Sequence, residues 1–70
     1  MEFGQKVKYR RIAQNFTQGE LAKRTGIKQP TLSSIESGRR NPSLTIAARL
    51  ASALGCTLDE LVAETEEGAK

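Results

Sequence analysis

Seventy residues make one small domain that can bury about 60% of its unfolded surface, too little to enclose a large active site. The aromatics are limited to Phe3, Tyr9 and Phe16, so the core must come from Leu, Ile, Val and Ala, a composition that favours packed helices. With one cysteine and no histidine, an intrachain disulfide and a zinc site are both excluded, and the net charge of +3 hides an uneven distribution. Residues 1–49 hold ten of the eleven Lys and Arg against Glu2, Glu20 and Glu36, a net +7, whereas residues 50–70 carry a net −4. That asymmetry suits a polyanion at one pole and a different contact at the other, or is simply how a solvated surface sorts its charges.

Five helices are predicted, and no strand pattern competes. The first runs from about Glu2 to Gln14, with Phe3, Val7 and Arg11 spaced on one face, Ile12 alongside, and Asn15 suited to a left-handed stop. Thr17 and Glu20 form a capping box for the second, which turns Leu21 and Ala22 inward and ends at Gly26. The third covers about Gln29 to Ser37, is mostly polar, turns Leu32 and Ile35 inward and stops at Gly38. A basic turn, Gly38 to Pro42, leads to Ser43 as cap of a fourth helix with Leu44, Ala47, Leu50, Ala51 and Leu54 inward. Gly55 ends it. Thr57 and Glu60 make a second capping box for a fifth helix with Leu58, Leu61 and Val62 inward. Residues 1–64 are expected to be the folded domain and residues 65–70 an acidic, frayed tail.

Residues 17–40 therefore place two short helices around Gly26 at the spacing of a helix-turn-helix. With Leu32 and Ile35 inward, helical geometry puts Gln29, Pro30, Ser33, Ser34 and Ser37 on the opposite side, all small or amide-bearing. Gln29 carries an amide that offers an acceptor and a donor together, and by its position alone it is an exposed helix-start residue. Pro30 fits the first turn of a helix as a rigid start.

The chain resembles the Cro and phage-repressor (XRE-like) helix-turn-helix proteins. The resemblance rests on Arg11, Thr17-Gln18, Glu20-Leu21-Ala22, Gly26-Ile27, Gln29 to Ser33, Ile35 to Arg39, Asn41 to Leu44, Ala51, Leu54-Gly55 and Leu58, in order and at the family spacing over residues 3–63. It implies an all-α, compact five-helix, lambda-repressor-like DNA-binding domain, with the third helix in the major groove. Base contacts are then expected from Gln29 and Ser33, with Lys28, Ser34 and Thr31 beside them. Phosphate contacts are expected from Gln18, where the family uses a glutamine at a helix start, and from Arg39, Arg40, Asn41, Ser37 and Arg10. Lys28 departs from the family habit of Ser or Thr at that position. It supplies no capping acceptor, which weakens the helix end by about 1 kcal/mol, while its ammonium can reach a phosphate or a guanine. Arg11 and Glu36 match positions that often form a buried ion pair, and are assigned to the scaffold.

The function these residues imply is a sequence-specific double-stranded DNA-binding regulator of the repressor type. It is expected to act as a homodimer on a palindromic operator, with Leu58, Leu61 and Val62 either at the dimer interface or packed within the chain. The alternative is a protein-interaction adaptor or an antitoxin of a toxin–antitoxin pair, with a toxin or regulator as protein partner. Without histidine, a nucleotide-binding glycine loop or an ordered catalytic spacing, neither an enzyme nor a cofactor or metal is expected. The apolar stretches are short and the first residues lack a signal-peptide core, so a soluble, cytoplasmic protein is expected.

Overall fold

The computed structural model describes residues 2–61. Within them lie α1 (Phe3–Ala13), α2 (Gln18–Thr25), α3 (Gln29–Glu36) and α4 (Leu44–Ala53), and residues 58–61 begin α5. The fold is all-α. Val62 and the acidic tail lie outside the described residues.

Local chemistry sets the boundaries. α1 ends in a Schellman arrangement: the Phe16 amide donates to the Arg11 carbonyl at 3.0 Å, the Asn15 amide to Ile12 at 2.9 Å, and Asn15 takes the left-handed φ of 63°. Thr17 caps α2 reciprocally with Glu20, the Thr17 amide donating to Glu20 Oε1 at 2.7 Å and the Glu20 amide to Thr17 Oγ1 at 3.0 Å. The backbone hydrogen bond from Thr17, followed by its hydroxyl, holds the Glu20 carboxyl below its ordinary pKa. Ser43 caps α4, and Thr57 with Glu60 repeats the reciprocal cap before residue 58.

The core joins Val7 of α1, Leu21 and Ala22 of α2, Ile27 of the turn, Leu32 and Ile35 of α3, and Leu50 and Leu54. α3 sits between α1 and α2, and α4 packs on α2. α1 meets α3 very closely, because Gly4 is buried against the Ile35 carbonyl and a Cβ there would fall onto that oxygen. Gly26, at φ 74°, makes the sharp reversal from α2 into the turn.

The buried hydroxyl of Thr25 secures that turn from within. It donates towards the Leu21 and Ala22 carbonyls at 2.9 and 3.2 Å and accepts the Ile27 amide at 3.3 Å. Thr25→Val keeps the shape but strands the Ile27 amide, so a loss of about 1–2 kcal/mol is expected in urea unfolding, with the helical circular dichroism signal retained. An unchanged midpoint would show that the hydroxyl adds nothing.

Two apolar expectations are corrected, and for Leu61 one of two alternatives holds. Leu44, assigned to the core by its spacing from Ala47, is 74% exposed, because among the described residues no helix covers that face at the first turn of α4. Ile12 likewise faces solvent, together with Tyr9. Leu61, a candidate for the dimer interface, is completely buried and completes the core of its own chain, while Leu58 is half-buried.

Candidate nucleic-acid interface

α3 presents the residues expected at DNA. Gln29, Pro30 and Ser37 are exposed, Thr31, Ser33 and Ser34 are half-buried, and Lys28 precedes them in extended backbone without a side-chain cap. Pro30 lies in the first turn, where the amide it lacks would have no helical partner.

The only acid of α3, Glu36, is 5% exposed, and its charge is met by Arg11. Its carboxylate accepts Nε and Nη2 of Arg11 at 2.8 and 3.1 Å, and Arg11 Nη1 donates to the Phe16 carbonyl at 2.8 Å. The expected pair is thus a two-pronged bridge that also ties down the start of the α1–α2 connection. It removes a negative charge from the face that a polyanion would approach.

Gln18 links this bridge to the reading face. Its Nε2 donates to Glu36 Oε1 at 3.2 Å, and its Oε1 accepts Gln29 Nε2 at 3.4 Å. The second bond is long and therefore weak, yet it orients the Gln29 amide. One N–H of that amide is spent on Gln18. Among the described residues the other N–H and Oε1 make no hydrogen bond, Oε1 lying near Gly19, and together they are the complement of adenine N7 and N6. The sequence assigns Gln18 a phosphate role only; its bridging position depends on how closely α2 and α3 approach.

Beyond the helix, the amides of Arg39 and Arg40 both donate to the Ser34 carbonyl, at 3.0 and 3.2 Å. Ser37 Oγ donates to the same carbonyl at 3.1 Å and accepts Arg39 Nε at 3.0 Å. The turn is therefore ordered by α3 itself, and Arg39, Arg40 and Asn41 are exposed on it.

A depression beside α3 is lined by Lys8, Arg11, Gln18, Ser33, Glu36 and Ser37. Lys8, which the spacing of Phe3, Val7 and Arg11 puts elsewhere around α1, lies one helical turn before Arg11 and lines the same depression. Arg10, expected at phosphate, is half-buried with its Nε enclosed and does not line this depression. Among the described residues no group of acids, cysteine or histidine is arranged to hold a metal ion, and no helix is long and apolar enough to cross a membrane.

Two short helices set about a glycine turn, the second offering an acid-free polar face flanked by cations, define a helix-turn-helix DNA-binding domain. The helix-turn-helix family pattern matches residues 7–61. An HTH-type transcriptional regulator of Sinorhizobium fredii is 46% identical over 57 residues, covering 81% of this chain and 74% of its own. The restriction-modification controller protein C.AhdI of Aeromonas hydrophila superposes with a TM-score of 0.81 at 36% identity, over 84% of this chain and 89% of its own. SinR, a master regulator for biofilm formation solved in complex with DNA, superposes with a TM-score of 0.81 at 30% identity, over 86% and 97%. The chain belongs to the helix-turn-helix family of DNA-binding transcriptional regulators.

Proposed function

We propose that the chain is a repressor that reads a palindromic operator as a homodimer, with α3 of each copy in the major groove. The observation that carries the reading is the oriented Gln29 amide, bonded through Gln18 to a buried ion pair and open on the side away from it. An amide positioned before DNA arrives loses less freedom on binding and discriminates better between bases. Ser33 is the second base contact, with Lys28, Ser34 and Thr31 around it. Gln18, Ser37, Arg39, Arg40 and Asn41 take phosphates, and Lys8 joins them from α1, a better placed cation than Arg10. Leu58, half-buried, is the described residue of the candidate dimer surface that remains open to a partner copy.

Selection of bound duplexes from a random pool, followed by gel shifts across a salt series, tests this directly. A twofold-symmetric consensus is expected, with half-sites about one helical turn apart. If three phosphates are neutralised per copy, log K against log salt falls with a slope of about −5 for the dimer. Gln29→Ala is expected to cost about 1–3 kcal/mol at one base pair of each half-site and to relax preference there alone. Failure to enrich any consensus would remove the sequence-specific reading, and an asymmetric single half-site would remove the dimer.

A further inference from the structure

Two arginines form a second cationic site that the DNA reading does not use. Arg24, Thr25, Arg49, Ser52 and Ala53 line a notch between the end of α2 and the second half of α4. It shares no lining residue with the depression beside α3. Arg24 lies six residues beyond Gln18 on α2, about 9 Å along the helix axis.

A ring holds the first guanidinium, and the second lies beside the turn. Arg24 Cζ sits 4.4 Å from the centre of the Phe16 ring, which is itself packed against the core, so the planar group is stacked rather than free. Arg49 Nη1 lies beside Gly26, 3.9 Å from where a Cβ would stand. Among the described residues no carboxylate pairs with either arginine. Glu20, one turn before Arg24, attracts it, but the Glu20 carboxylate is engaged by the Thr17 amide. The remaining lining is Thr25, Ser52 and Ala53, small enough to admit a carboxylate to the two forks.

We infer that this notch receives the acidic C-terminal segment of a second copy of the chain, through carboxylates set against Arg24 and Arg49. Charge complementarity selects the occupant. Residues 57–70 contain Asp59, Glu64, Glu66 and Glu67, besides Glu60 whose carboxylate is engaged by Thr57, against the single Lys70, the one strongly acidic stretch of a chain whose other residues are net basic. Planar guanidiniums bind carboxylates through paired hydrogen bonds, stronger and more directional than the contact of a lysine. The contact is heterologous, joining different surfaces of two copies, so it leaves α3 free and links molecules side by side. Exposed ion pairs are individually weak, so the affinity of an isolated segment is expected near millimolar, rising in effect when copies are held close together.

The test follows the arginine Nε–H and backbone amide resonances of the full 70-residue chain, labelled with nitrogen-15, as a synthetic peptide of residues 57–70 is added. Saturable shifts are expected at Arg24, Arg49, Thr25 and Ser52. A peptide with Glu64, Glu66 and Glu67 changed to Gln is expected to bind at least tenfold more weakly. Arg49→Glu in the chain is expected to abolish the natural peptide's shifts and to favour a peptide carrying Lys at those three positions, with an unchanged thermal melt showing that the variant is folded. Dilution of the unmodified chain is expected to move the same resonances, as two-copy association requires. Equal shifts at Lys6, Lys8, Arg39 and Arg40 would reduce the effect to general charge attraction. Binding of inorganic phosphate without binding of the peptide would make the notch a free-anion site, and resonances insensitive to dilution but altered by the Glu→Gln changes within the chain would place the segment on its own molecule. Each of these overturns the inference. The assay contains no DNA, so it fails or succeeds independently of the operator reading.

Discussion

Glu36→Ala is expected to lower the unfolding free energy by about 3–5 kcal/mol, the characteristic penalty for leaving one member of a buried pair without its partner. Arg11 keeps its bond to the Phe16 carbonyl but loses both bonds to the carboxylate, and Gln18 loses the acceptor of its Nε2. Arg11→Ala is expected to cost a similar amount by isolating the Glu36 carboxylate in a site 5% exposed. The informative variant is the double one. Arg11→Met with Glu36→Leu removes both charges and refills the volume, so it is expected to recover most of the loss, leaving a large coupling energy in the cycle. Urea unfolding of the four chains measures it. Single variants as stable as an exposed control such as Lys23→Ala would show that the bridge contributes nothing. DNA binding separates two roles of the pair. The stable double variant retains α3 but not the Gln18 anchor, so its discrimination at the base read by Gln29 is expected to weaken even where the fold survives.

Gly4→Ala carries the second large effect, and its sign discriminates between local and tertiary control. Helix propensity alone predicts stabilisation by about 1 kcal/mol, since alanine replaces glycine inside α1. The packing predicts the reverse. The added methyl would fall onto the Ile35 carbonyl oxygen and come within 3.2 Å of the Glu36 Cα, both backbone atoms that cannot rotate aside. α1 and the end of α3 must then separate, and the net expectation is a loss of about 2 kcal/mol after the propensity gain. For a domain of this size that lowers the thermal midpoint by about 10 °C. Because the atoms displaced belong to α3, operator affinity is expected to fall even at temperatures where the variant is fully folded. A midpoint equal to or above the parent's would mean that the helices do not meet at Gly4.

Much of the fold is legible in the sequence because its signals are local. Thr17 with Glu20, Ser43, Thr57 with Glu60, Asn15 and Gly26 act through bonds or backbone angles spanning a few residues, and each element boundary lies within a residue or two of its cap. The polar outer face of α3 follows in the same way from the inward positions of Leu32 and Ile35. The Arg11–Glu36 bridge is different: its partners are 25 residues apart, and it is anticipated only through likeness to a family.

What tertiary structure alone decided is where helices cross and where they leave one another uncovered. Leu44 has the spacing of a core residue and is exposed, whereas Gly4, unremarkable in the sequence, sets the distance between α1 and α3. Gln18 joins Gln29 to Glu36, and Arg24 comes beside Arg49, only because α2 packs on both α3 and α4. Periodicity specifies which way a side chain points from its own helix axis. Whether another helix stands there, and at what distance, depends on the packing of the whole core.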